Sequence, residues 1–557
     1  MALRTLYQTL LDSNLARLRV IARIWNISLT ATQRADVAAE LVDGMADADR
    51  VQRCWAQLPS DQQAALEALL REGGAMPWAT FTRHWGQLRT VGPGRLEREE
   101  LWRTPISPAE GLWYTGLLQR ALDELPTGAV EMAFVPEELR LYLPTPAEQP
   151  IPPLPATAPP PVSHAAVDAL ADELVTLLVY LHVVGVRPTP EGGWPERQRA
   201  HLLRYLRDPS PARLALLVAL VEHLDWLQAD EAGVLRPVGS EVLAWLQAPR
   251  AEQWRILVTA WLALPNWNTL AYIPTLAPDP ASGWPAQPQV GRQNLVTHLL
   301  QHCTPGVWYP LHEWVTHVRA HAADFLRPDG DYDSWVLHDA VTDAPLRGFA
   351  AWEAVEGALA HFCVTGPLAW LGVVALGGIA PQAPPTAFRL TEAGADLLRG
   401  VAPADLPPAE PVQLQPNGTL LVPSGQRYAQ FQLGRISQQL RGYDPLRYRL
   451  TPASLAAARQ QRISLERILD YLTEVTAQPV PATLREAITR AYQPGERTHL
   501  REGWVLQVTQ PALLELPAIR DAVIARLGPQ AVFIREKDRA RVLAALVQAG
   551  ILPEIEE

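Results

Sequence analysis

Between Arg427 and Arg467 the chain carries eight arginines and only two acids, Asp444 and Glu466, the strongest local positive field in its 557 residues. Arg435, Arg441, Arg447, Arg449, Arg459 and Arg462 are the candidate nucleic-acid contacts in this run. A guanidinium presents a planar fork of donors that pairs two-sidedly with phosphate oxygens. Such a set grips a polyanion backbone without reading its bases, and every contact releases counterions and steepens the salt dependence. If residues 446–450 form a strand, Arg447 and Arg449 share one face, while Leu446, Tyr448 and Leu450 share the other. The competing reading of the same run is a solvated or internally paired surface.

Other constellations point away from catalysis. Seven of the 13 histidines fall between His298 and His361. His298, His302 and Cys303 lie one helical turn apart, as do His317 and His321. Zinc takes four nitrogen or sulfur ligands, usually as two close pairs. No CxxC or HExxH accompanies these histidines, so polar or half-buried helix histidines are expected, and no metal or other cofactor is assigned. The run from Asp329 to Asp333 opens like a calcium loop, but Ser334 stands where glycine is needed and Ala340 where a bidentate glutamate is needed, which leaves an exposed turn. Neither a Gly-x-Ser-x-Gly elbow nor a Gly-x-Gly-x-x-Gly after a strand occurs. A P-loop needs Gly-Lys-Ser/Thr, because an ammonium must reach the phosphates and a hydroxyl must hold magnesium. The one lysine, Lys537, sits in Arg-Glu-Lys-Asp-Arg with no glycine-rich loop before it. P-loop ATPase chemistry is thereby excluded, no catalytic residue is assigned, and a non-enzymatic role with no small-molecule substrate is expected.

The elements that must position the arginines are legible around them. A strand-like run, Val412 to Val422, precedes them. Thr451-Pro452 is a helix start, a threonine cap before a proline whose missing N–H would have no partner anyway. Ser464 is placed to cap a helix with Leu465, Ile468, Leu469 and Leu472 on one face, and Leu484, Ala487, Ile488 and Ala491 repeat that spacing. Residues 503–508 read as strand, 516–527 as a helix closed by Gly528, 531–534 as strand, and a last helix runs from Asp538 to Gly550.

The order of Gln415-Pro416-Asn417, then Tyr448-Arg-Leu-Thr-Pro452, then Ile463-Ser-Leu-Glu-Arg-Ile468 resembles the helicase-associated domain of XPB-type DNA helicases. Upstream, Trp113-Tyr-Thr-Gly-Leu117 with Phe134-Val-Pro-Glu-Glu138, Trp254 with Ala260-Trp261-Leu262, and Arg389-Leu-Thr-Glu-Ala-Gly394 resemble the standalone bacterial form of that protein, which lacks the helicase motor. The resemblance implies DNA-linked work beside a helicase acting in trans. A non-enzymatic accessory protein is the expected function, with a protein-binding adaptor that never touches DNA as the alternative.

Charge is distributed unevenly. Lys+Arg against Asp+Glu number 15 and 18 for residues 1–143, 15 and 27 for 144–410, and 18 and 14 for 411–557. The middle is thus at −12 and the last part at +4 within a net charge of −11, so a polyanion meets the C-terminal part first and the middle suits protein contact. Three widely spaced cysteines, Cys54, Cys303 and Cys363, give no disulfide framework and fit a reducing cytoplasm. The uncharged run 362–388 is interrupted by Pro367, Pro384, Pro385 and four glycines, so a buried helix and turn are expected there and no membrane span.

The fold class expected is mainly α with small sheets, tandem winged-helix-like modules leading to a C-terminal α/β helicase-associated domain. Residues 1–143 form an N-terminal helical and winged-helix module, whose first two helices resemble a SAP-type pair but are expected to pack on the rest of the module. Within it, 64–70, 78–85 and 112–122 read as helices and 129–135 as strand. Residues 144–166 are a proline-rich linker, with nine prolines in the 18 residues 144–161, expected to be extended and semi-rigid. A second winged-helix-like module spans 167–264, a third spans 265–400, a short linker covers 401–411, and the helicase-associated domain covers 412–557.

Overall fold

Leu6, Leu10, Leu18, Ile21 and Trp25 share one apolar core with Leu41, Leu66, Phe81 and Leu112, so the first two helical hairpins pack on the rest of the N-terminal segment. The computed structural model describes residues 4–125, 128–147, 150–164, 169–190, 192–279, 288–403, 406, 408–441, 445–493, 503–551 and 553–554. Its contacts divide it into two units, Met1–Leu450 with Glu466–Val480, and Thr451–Leu465 with Pro481–Glu557. It is about 51% helical, with several small antiparallel sheets.

In the N-terminal segment the helices Ser60–Arg71, Trp78–Trp85 and Pro108–Thr115 alternate with a three-stranded antiparallel sheet in the order Ala75–Pro77, Gly128–Phe134, Gln119–Leu125. The third of these helices is shorter than its apolar pattern suggests. Gly116 adopts φ +77°, a left-handed residue that ends the helix at Thr115, and residues 119–125 become the strand that pairs with 128–134. Apolar spacing carried past that glycine into a strand whose residues alternate, and the two patterns merged.

The middle holds the largest core, built on the helices Ala169–Val183, Pro211–His223, Arg250–Ala263, Pro288–His302 and Leu311–His321. Trp254, Trp261, Trp314 and Trp352 are essentially inaccessible to solvent. Burying a side chain of this kind contributes ~1.5–3 kcal/mol. The indole N–H of Trp314 donates to the Ala360 carbonyl at 3.3 Å and that of Trp352 to the Ala323 carbonyl at 2.9 Å, whereas the buried Trp261 indole nitrogen has no hydrogen-bond partner among the described residues. A two-stranded hairpin, Leu227–Ala229 with Leu235–Pro237, precedes the helix Gly239–Gln247. A four-stranded sheet, in the order Val162–His164, Val374–Gly378, Ala387–Leu390, Trp308–Pro310, closes the other side. It leads into the helix Glu392–Leu398, capped by Thr391, whose side chain accepts from the Gly394 amide.

The uncharged run 362–388 is divided among helix, a one-turn π-helix at Val364–Leu368 containing Pro367, and the strands of this sheet. Among the described residues no helix is long and apolar enough to cross a membrane. The proline-rich run is extended and seated: Leu154 is buried, the Thr157 amide donates to the Trp308 carbonyl at 2.8 Å, and residues 162–164 are a sheet strand.

Residues 412–450 pack onto the middle. The helix Arg427–Ile436 lies along Ala169–Val183 so closely that a Cβ at Gly434 would come within 2.7 Å of Val179, which requires glycine there. The hairpin Gln413–Leu414 and Thr419–Val422 turns at Asn417, whose side chain accepts from the Thr419 amide at 3.0 Å, and at Gly418 with φ +78°.

The second unit contains the helices Pro452–Gln460 and Ala482–Tyr492 and a three-stranded sheet, Trp504–Gln507, Ala531–Ile534, Val523–Arg526, covered by the helix Arg539–Gln548. The helix expected over 516–527 is a single turn, Pro517–Arg520, followed by the strand Val523–Arg526. Ile519 and Ala522 are buried in the small core of this unit, and Val523-Ile524 prefers the pleated conformation that pairs with 531–534.

Candidate nucleic-acid interface

The strand Leu446–Arg449 is internal to a four-stranded antiparallel sheet, in the order Gln413–Leu414, Thr419–Val422, Leu446–Arg449, Gln438–Gln439. Its pleat alternates as the sequence expects. Leu446 and Tyr448 are buried, and Arg447 and Arg449 are exposed on the opposite face. A strand rise of ~3.3 Å per residue sets the roots of these two side chains about 6.6 Å apart. Tyr448 is wholly buried, and that burial pushes its hydroxyl pKa up, which keeps it a neutral wedge under the arginine face. Among the described residues neither Arg447 nor Arg449 has an ion-pair partner, and the side chain opposite Arg449 on the edge strand is the exposed amide of Gln438. Two unneutralised guanidiniums on a rigid pleat can present donors to successive phosphates without first breaking an internal pair.

The other four candidates are differently placed. Arg441 is exposed at the end of the edge strand. Arg435, on the helix Arg427–Ile436, is half-buried and donates to the Gln432 side chain at 2.9 Å; burial first, then the positive charge of Arg467, lowers its pKa below the usual arginine value. Arg459 and Arg462 belong to the second unit. The Thr451 side chain accepts from the Ser454 amide at 3.1 Å, a reciprocal cap that starts the helix Pro452–Gln460. Arg459 is exposed in the last turn and donates to the Tyr492 carbonyl at 3.3 Å. Arg462 is exposed just beyond it with φ +59°, a left-handed position that usually falls to glycine. The first unit therefore gathers Arg435, Arg441, Arg447 and Arg449, and the second carries Arg459 and Arg462.

One arginine of the run is spoken for. Arg427 is 1% exposed, with its Nε 3.0 Å from Asp172 Oδ1 and its Nη1 2.7 Å from Gln253 Oε1. Asp172 also accepts from the Gly425 amide at 3.2 Å and from the Ser424 hydroxyl, and Gln430 donates to the Asp172 carbonyl at 2.9 Å. This buried knot fastens the helix Arg427–Ile436 to Ala169–Val183 and so fixes the sheet that bears Arg447. Sequence reasoning counted Arg427 in the positive field and missed its partner, which lies 255 residues away.

The histidines meet without forming a ligand set. His298 Nε2 lies 3.0 Å from His317 Nδ1, and His317 Nε2 lies 3.0 Å from the Pro152 carbonyl. The rings of His302, His298, His317 and His321 follow one another at centroid separations between 4.4 and 5.0 Å. Burial first, then positive charge on its neighbours, brings His298 down to about 3. Among the described residues no three His, Cys, Asp or Glu side chains converge in a way that could hold a metal ion. The turn at 329–334 satisfies its own amides, with Asp331 Oδ1 accepting from Asp333 N at 2.8 Å and Ser334 N at 3.2 Å. It is only partly exposed: Tyr332 is buried, and its hydroxyl donates to Asp324 at 2.8 Å.

Residues 412–532, which include the arginine-bearing sheet, match the family described as a helicase conserved C-terminal domain. The match supports a helicase-associated domain in this stretch and is compatible with a DNA-associated, helicase-related role. Comparison with curated proteins finds no match.

Proposed function

We propose that the protein is a non-enzymatic, DNA-associated accessory factor of the XPB-type helicase-associated kind, working beside a helicase supplied in trans. Arg447 and Arg449 carry the backbone contact, Arg435 and Arg441 are further contacts of the first unit, and Arg459 and Arg462 are contacts of the second. The observation behind this reading is the pair of exposed arginines without ion-pair partners on one face of a strand inside the helicase-type segment. Contacts of this kind are made to phosphate and carry no base preference. The helical clusters closed by small antiparallel sheets at 75–134 and 227–247 support winged-helix modules upstream. The net charge of the middle, at −12, suits a protein partner, and three free, buried cysteines fit the cytoplasm.

The test is a titration of the purified chain against duplex, single-stranded and forked DNA at two salt concentrations. Affinity that falls steeply with salt, and that weakens on Arg447→Glu with Arg449→Glu, is the expected result. Absent or salt-insensitive binding would replace this reading with a protein-binding adaptor.

A further inference from the structure

The N-terminal segment contains a buried cation that no acid balances. Arg17, on the helix Leu15–Ile24, is 4% exposed. Its guanidinium donates to the Trp113 carbonyl at 3.0 Å, the Ser13 hydroxyl at 2.7 Å and the Gln119 side-chain oxygen at 3.2 Å, and lies 3.5 Å from the centroid of the Trp113 ring. Every one of these acceptors is neutral. Burial first, then the charge of Arg120, brings Arg17 down to about 9. A desolvated charge held only by dipoles is expensive, and structures ordinarily supply it with a counter-ion.

Arg17 lines a polar cavity of about 300 Å³ together with Arg89, Arg120, Asn14 and Tyr114. Two carboxylates, Asp12 and Glu110, also border it, and both are engaged. Asp12 pairs with Arg4. Glu110 accepts from Arg89 Nη2 at 2.8 Å, the Ile106 amide at 2.8 Å and the Tyr114 hydroxyl at 3.1 Å. Burial opposes ionisation of Glu110, but the Arg89 fork and the two amides of Ile106 and Arg89 outweigh it and keep its pKa below the usual glutamate value. Arg120 is half-exposed at the rim, 3.0 Å from Glu131. Three guanidiniums thus face two carboxylates, and the surplus charge is the one on Arg17.

We propose that this cavity binds a terminal phosphate group, either free phosphate or the phosphomonoester of a nucleotide or of a DNA 5′ end. Arg17 supplies the buried charge, Arg120 swings from Glu131 to close over the oxygens, and the Asn14 side-chain NH2 offers a neutral donor, the Ser13 and Tyr114 hydroxyls being given to the Thr9 carbonyl and to Glu110. The site is separate from the sheet face at Arg447 and does not depend on it.

The test uses the full chain, with phosphorus-31 line broadening and calorimetry on inorganic phosphate and adenosine monophosphate, and anisotropy on one oligonucleotide with and without a 5′ phosphate. Saturable binding of phosphate is expected, weakened about tenfold by Arg120→Ala, the size of effect that follows from losing one charge-assisted contact. Arg17→Met abolishes the binding; should that variant not fold, the rim variant Arg120→Ala carries the test alone. A preference for the 5′-phosphorylated strand that disappears in Arg120→Ala assigns the site to DNA ends, and binding confined to phosphate and the mononucleotide assigns it to a small molecule. No binding by any of these probes, or binding indifferent to Arg120→Ala, overturns the proposal and leaves Arg17 as a tie between the helices at 15–24 and 108–115.

Discussion

Replacing Arg447 and Arg449 together by alanine removes two exposed charges and touches no buried contact, because both side chains point away from Leu446 and Tyr448. If each guanidinium neutralises one duplex phosphate, the slope of log affinity against log salt becomes shallower by ~0.9 per contact, or about 1.8 for the pair. Between 50 and 200 mM salt, a fourfold change, that difference amounts to about 12-fold, so the deficit of the variant is large in dilute salt and shrinks as salt is added. Fluorescence anisotropy of a labelled duplex across that range reads both quantities. Thermal unfolding run alongside should place the variant within ~0.5 kcal/mol of the parent, as expected for exposed substitutions. An unchanged slope with a lowered affinity would refute the reasoning, since it would mean that the residues act through shape and not through phosphate charge. A large loss of stability would refute it too, because the arginines would then have structural partners.

Replacing Arg427 by methionine removes the guanidinium that links Asp172 Oδ1 to Gln253 Oε1 in a buried site and should cost ~1.5–3 kcal/mol in urea unfolding. His298, held down to about 3 in the fold against an ordinary value of 6.5, stays neutral where the unfolded chain takes up a proton. Stability therefore falls as pH drops from about 6.5 towards about 3, and at pH 5.5 this residue alone accounts for ~1.4 kcal/mol, a dependence that His298→Gln should flatten in a pH series of denaturant midpoints. Cys54, Cys303 and Cys363 have thiols pushed up to about 12 by burial, so iodoacetamide at pH 8 should label none of them until denaturant is added. Gly434→Ala forces a methyl group to within 2.7 Å of Val179 and should cost ~1–3 kcal/mol by the same denaturation assay.

What the sequence disclosed is what short-range physics determines. The face shared by Arg447 and Arg449 follows from a period of two, and the helix start at Thr451-Pro452 from the needs of an unpaired N–H; both are local, and both are found. The failures at 116–122 and 521–527 arose where apolar residues at helical spacing continued into strand, and where a hairpin partner settled the outcome. Each histidine pair was visible at one-turn spacing, but the stacking of one pair on the other depends on how two helices cross. The counterparts of Arg427 and of Arg327, whose Nε lies 2.6 Å from Glu356 in the core, were invisible for the same reason, because nothing in a charge count separates an arginine that will be buried from one that will face water.

That distinction bears directly on function. A composition rich in arginine places guanidiniums everywhere, so number alone says little about nucleic acid, and the informative residues are those that folding leaves without a carboxylate. The buried arginines at 213, 327 and 427 each have one. Arg427 then does more than avoid a penalty: its tie to Asp172 and Gln253 fixes the helix that runs into the edge of the sheet, and with it the plane in which Arg447 and Arg449 project. A phosphate site gains affinity when its donors are held in place before the ligand arrives, since less side-chain freedom is lost on binding. Weakening the knot without unfolding the chain, as Gln253→Ala should, is therefore expected to reduce DNA affinity while leaving the salt slope intact, because the number of phosphate contacts is the same and only their positioning has loosened.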